Sequence, residues 1–80
     1  MSDITPDVVV DARGAACPGP LMELVGEFRQ GDSGTVYELQ TTDSSSSHDV
    51  PEWVEDTGNE LLDIDEHEDE GYWSIFVEKV

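Results

Sequence analysis

The chain has 80 residues, one Cys, two His, and twenty acidic side chains against three Lys or Arg, for a formal net charge of −17. Eighty residues support one core and exclude a second domain; a lone Cys excludes an internal disulfide, and no His or Cys clustering offers a structural metal, so packing must hold the fold. The charge disfavours direct, tight contact with a phosphate backbone and argues against a nucleic-acid binder.

Val8-Val9-Val10-Asp11-Ala12 is short and β-branched and predicts a strand, followed by Gly14, which permits a turn ahead of Cys17. From Pro18 the period changes: Leu21, Leu24, Val25 and Phe28 fall at i, i+3, i+4 and i+7, one face of a helix that Gly31 ends as a C-terminal cap. Thr35 to Thr41 alternates as a strand with Tyr37 and Leu39 on one face, and Ser44 to Ser47 reads as a loop holding candidate caps. Asp49 to Asp56, with Pro51 near the first turn and Val50, Trp53 and Val54 on one face, predicts a second, shorter helix that Gly58 ends. Leu62 and Ile64 alternate with Asp63 and Asp65, Glu68-Asp69-Glu70-Gly71 makes a turn, and Tyr72 to Val80 is the last strand.

The order is therefore βαβαββ. Two helices are too few to cover both faces of four strands, so both are expected on one face of a mixed sheet: an α+β fold, a two-layer α/β sandwich whose other face is partly open to water. One domain is expected over residues 1–80, with residues 1–6 a flexible lead. Met1 to Asp7 lacks a basic region followed by an apolar run, and no segment is long enough to cross a bilayer, so a soluble, cytoplasmic and monomeric protein with a reduced thiol is expected.

Cys17 is the candidate reactive group. It falls in Cys17-Pro18-Gly19-Pro20, where the predicted first helix begins, and a helix N-terminus stabilises a thiolate through its open amide N–H groups and its dipole. Pro18 and Pro20 have no N–H, so the donors would be the amides of Gly19, Leu21 or Met22; the prolines fix the entry and the glycine permits close approach. Arg13 either adds a local positive charge or is merely solvated. A buried, inert thiol is the competing reading of a lone Cys. His48 and His67 have no signature tying them to Cys17, which favours a carrier over a hydrolase. Asp63, Asp65, His67 and Asp69 suggest a calcium loop only superficially, since Glu68 stands where that loop needs Gly; no metal is expected. Trp53 reads as core, while Trp73 faces either the core or the open side of the sheet.

Asp11-Ala12-Arg13-Gly14-Ala15-Ala16-Cys17-Pro18-Gly19-Pro20-Leu21 resembles the signature of the TusA/SirA family of sulfur carriers, Cys-Pro-x-Pro after an Asp and a Gly. The segment Thr42 to Trp53 is similar to that family's entry to the second helix, and the likeness runs over nearly the whole chain. The resemblance implies the βαβαββ sandwich. It also implies that Cys17 takes sulfane sulfur as a persulfide from a cysteine desulfurase and passes it to an acceptor protein. Pyridoxal phosphate would belong to the donor, with no cofactor on this chain. Among family destinations are the 2-thio group of wobble uridine in transfer RNA, sulfur oxidation, molybdenum cofactor maturation and selenium metabolism. Some members carry a second Cys near the second helix; here Val54 follows Trp53, so any relay must be intermolecular.

The expectation is a carrier-type sulfurtransferase with Cys17 catalytic and Arg13, Gly14, Pro18, Gly19 and Pro20 shaping the site. A regulatory adaptor on the same fold and a thiol redox sensor are the alternatives. The acidity reads either as adaptation to concentrated salt or as a docking face for a basic partner.

Overall fold

Six elements occur in the expected order: β1 (Val8–Ala12), α1 (Gly19–Gln30), β2 (Val36–Thr41), α2 (Ser46–Thr57), β3 (Glu60–His67) and β4 (Tyr72–Glu78). The computed structural model describes residues 4–15 and 19–80; Cys17 and Pro18, both singled out above, lie outside the described residues.

The strands form one mixed sheet in the order β1-β2-β4-β3. β1 and β2 are parallel because α1 carries the chain back to the same end, and β4 pairs antiparallel with both β2 and β3. The register sets Val10 beside Leu39 and Leu39 beside Ile75, with Tyr37 beside Val77. These residues share a face and pack with Leu24 and Phe28 of α1 and Val50 and Val54 of α2 in one buried cluster. Both helices therefore cover the same face, as expected. Trp73, paired with Thr41, belongs to that helix-covered face by register and is half-buried. Asp11, Glu38, Ser74 and Phe76 alternate to the other face, which is only partly open: Asp11 is exposed there and Glu38 half-buried, while Ser74 and Phe76 of β4 are buried.

Three local expectations are corrected. Gly31 comes directly after α1, but positive φ among the described glycines occurs at Gly14, Gly34, Gly58 and Gly71 only, so Gly31 is not a left-handed cap. Its lack of a side chain serves packing instead: a Cβ there would overlap the hydroxyl of the fully buried Tyr37 and lie 2.8 Å from its Cζ. The serine run is not all loop. α2 starts at Ser46, three residues before Asp49, because Asp43 Oδ1 accepts the Ser45 N–H at 2.9 Å and turns the chain early. Ser46 is then buried, its Oγ accepting from Thr41 Oγ1 at 3.5 Å. Finally, β3 carries a register shift between Leu61 and Asp63, which ends simple alternation there and leaves Leu61 exposed. Gly58 does cap α2 in the left-handed region at φ 74°, its N–H reaching the Glu55 and Val54 carbonyls.

Candidate functional site

Described residues flank Cys17 in sequence on both sides. β1 ends at Ala12, and Asp11 bends the chain beyond it: its Oδ1 accepts the backbone N–H of Arg13 at 3.2 Å, an Asx-turn. The Arg13 guanidinium returns to the same carboxylate as a fork, Nε to Oδ1 and Nη2 to Oδ2, both at 2.9 Å. Gly14 comes next at φ 89°, a conformation that side-chain-bearing residues adopt at a cost, and the Ala15 N–H closes the turn on the Ala12 carbonyl at 3.1 Å. The Gly14 N–H donates to Thr42 Oγ1 at 2.9 Å, tying this loop to the one after β2. An open cleft lined by Gly14, Ala15, Thr42 and Asp43 lies at that junction.

Downstream, α1 opens at Gly19. Pro20 is fully buried and anchors the helix start in the core, while a Cβ on Gly19 would meet Ala15 Cβ at 3.4 Å, a close but ordinary contact. The first turn of α1 carries no acidic residue, in a chain with twenty, so nothing on that turn opposes the positive end of the helix dipole. Met22, in the same turn, is 60% exposed.

Arg13 is thus not a free cation. Its charge is matched by Asp11, and its guanidinium sits 5.3 Å from the centroid of the Tyr72 ring. Tyr72 in turn lies 4.4 Å from the His67 ring, and His67 Nε2 is 2.8 Å from Ser74 Oγ. The Ser74 hydroxyl donates to Glu38 Oε2 at 2.8 Å, which requires His67 Nε2 to carry the proton shared with Ser74. Gln40 Nε2 donates to the same Glu38 oxygen at 2.9 Å. His48 lies on α2, outside this network. Among the described residues no group of three or more His, Cys, Asp or Glu is arranged to hold a metal, and no helix is long and apolar enough to cross a membrane.

The Arg13 side-chain and backbone hydrogen bonds hold the Asp11 carboxyl at about 2, below its ordinary 3.8. A depressed carboxyl contributes stability above its unfolded value and loses it as pH falls through the folded one. The Asp11 turn should therefore stay charged and closed down to about pH 2. Following the Asp11 carboxyl carbon by NMR should give a midpoint near 2, moving back toward 3.8 in Arg13→Gln. An unshifted midpoint in the wild-type chain would show that the fork does not form.

Thr42 and Tyr72 are not legible in the sequence as site residues. Their roles depend on sheet register, which brings both to the end of the sheet where β1 delivers the loop. Asp11 to Arg13 is different, since the Asx-turn spacing is present in the sequence itself.

Comparison with known proteins accords with this architecture. A SirA-like protein of Desulfitobacterium hafniense has the same fold, with a TM-score of 0.78 at 21% identity over 89% of this chain and 95% of that one. A candidate sulfur carrier of Archaeoglobus fulgidus is 49% identical over 73 residues, covering 91% of this chain and 97% of that protein. The sulfur carrier protein TusA of Pseudomonas putida is 37% identical over 79 residues, 99% of this chain and 96% of its own. With residues 8–79 matching the family model for sulfurtransferase TusA, the chain belongs to the TusA family of sulfur carrier proteins.

Proposed function

We propose that Cys17 is the sulfur-bearing residue and that the chain relays sulfane sulfur between a cysteine desulfurase and an acceptor protein. One observation carries this: the family moves sulfur, and Cys17 is the one thiol in the sequence. In the forward step the Cys17 thiolate attacks the outer sulfur of the donor's persulfide. A new S–S bond forms at Cys17 as the donor's S–S bond breaks, and the electron pair leaves with the donor cysteine as its thiolate, with no net oxidation. Attack on an acceptor repeats the exchange in reverse roles.

Several features support the reading. Cys17 falls in sequence between the Asp11–Gly14 turn and the α1 start at Gly19, and the first turn of α1 is free of acids. Exposed Met22 offers apolar surface for a partner near the same helix end. A chain of charge −17 repels phosphate, so delivery toward transfer RNA thiolation, the destination we favour, runs through a separate RNA-binding enzyme. We read the acidity itself as suited to concentrated salt.

Incubation with a desulfurase, cysteine and pyridoxal phosphate, followed by intact mass measurement, should add the mass of one sulfur atom to the wild-type chain and none to Cys17→Ala. No gain with several active desulfurases would sink the carrier reading. Unchanged 2-thiouridine in cells lacking the chain would remove the transfer RNA destination.

A further inference from the structure

We propose that Tyr72 is a positioning residue for sulfur transfer at Cys17, acting through Arg13; this rests on the carrier reading above. The parallel register sets Ala12 beside Thr41, and β4 sets Trp73 beside the same Thr41. The next residues outward, Arg13, Thr42 and Tyr72, therefore form a row across β1, β2 and β4 at one end of the sheet, and His67 of β3 pairs with Tyr72 to complete it. Along that row the side chains touch in sequence. The Arg13 guanidinium sits 5.3 Å from the Tyr72 ring centroid, the Tyr72 ring 4.4 Å from His67, and His67 is hydrogen-bonded at 2.8 Å to buried Ser74.

Arg13 is the residue on which this row meets the loop. Its backbone N–H and its fork both engage Asp11, so the orientation of its side chain and the turn from Asp11 to Ala15, which precedes Cys17 in sequence, are one arrangement. An exposed arginine held only by a neighbouring carboxylate exchanges readily with solvent, because surface ion pairs hold weakly. The Tyr72 ring supplies a second, independent hold from a strand two places away in the sheet. Partial burial and then the neighbouring Glu70 and Glu38 carboxylates keep the Tyr72 phenol above its ordinary value, so the ring faces the cation in its neutral form. The attraction is to the aromatic face, so it needs a ring and not the hydroxyl.

The test is the rate of sulfur loading from a desulfurase, followed by intact mass, in wild type, Tyr72→Phe, Tyr72→Leu, Arg13→Leu and the Tyr72→Leu/Arg13→Leu pair. Tyr72→Leu should slow loading about two- to fivefold, the range set by one exposed cation–π contact, while still reaching one sulfur per chain. Tyr72→Phe should load at the wild-type rate. The double variant should be no slower than Arg13→Leu alone, because both changes remove the same contact. Thermal midpoints of all variants identify any loss that comes from unfolding, and Tyr72→Phe tests the ring's role even where Tyr72→Leu is destabilised. Loading of folded Tyr72→Leu at the wild-type rate, an equal slowing by Tyr72→Phe, or losses that multiply in the double variant would each overturn the proposal. Failure of the wild-type chain to load would instead sink the carrier reading.

Discussion

Gly31→Ala should destabilise the chain by roughly 1–3 kcal/mol, the usual cost of forcing an extra carbon into a packed core. The new Cβ would fall on the Tyr37 hydroxyl and 2.8 Å from Cζ, and Tyr37 is fully buried. Its ring cannot retreat, because Phe28 stands 4.7 Å away and the hydroxyl already reaches the Glu27 carbonyl at 3.4 Å. The backbone is held as well: Lys79 Nζ donates to the Phe28 and Gly31 carbonyls at 2.8 and 2.7 Å, closing the end of α1 with one of the three strongly basic side chains. For a chain of this length, whose total stability is on the order of 4–12 kcal/mol, the loss is a large fraction. At about 4–8 °C per kcal/mol the thermal midpoint should fall visibly. Tyr37→Phe in the same chain should return part of the loss, since the hydroxyl is the atom most directly displaced. A Gly31→Ala chain as stable as wild type would show that the close approach is not tight.

Gly31 also marks where the sequence stops being readable. A glycine after an apolar helical stripe carries the pattern of a cap, and a cap is a local property that sequence can express. Close approach to Tyr37 is not local: it depends on where β2 lies under α1. The same division runs through the site. Asp11, Arg13 and Gly14 are legible because an Asx-turn and a positive φ are made by neighbours in the chain. Thr42, Tyr72 and the His67–Ser74–Glu38 chain are not, since they require the strand order β1-β2-β4-β3, in which β4 is inserted between β2 and β3. Element order and the covered face, by contrast, come from periodicity: Leu24, Phe28, Val50 and Val54 recur at helical spacing, and Tyr37 with Leu39 at strand spacing, and all six enter one core. Sequence position alone offers Arg13 as a source of positive charge for the thiol; the contacts of its guanidinium with the Asp11 carboxylate and the Tyr72 ring are legible only in the fold.

Potassium chloride should raise the unfolding midpoint steeply between about 0.01 and 1 M, where the screening length shortens from ~30 to ~3 Å. Twenty acids against three strongly basic side chains leave most carboxylates without a cation to meet. The fold brings several together: Glu60 pairs with Glu78 across β3 and β4, and Glu38 and Asp63 flank Phe76 from either side on the partly open face. Glu66, Glu68, Asp69 and Glu70 line one cleft around the β3–β4 turn. Two like charges ~10 Å apart in water repel by about 0.4 kcal/mol, so about a dozen such pairs sum to roughly 5 kcal/mol, comparable with the whole stability of a chain this size. The unfolded chain is expanded and holds fewer close pairs, so dilute buffer penalises the native state more. At about 1 M salt nearly all of that difference is screened. Chloride is the test anion because sulfate or phosphate would also strengthen apolar burial and obscure the electrostatic effect. A midpoint that is already high in dilute buffer and flat with KCl would rule out salt adaptation and leave the carboxylates to the competing reading, a face that attracts a basic partner.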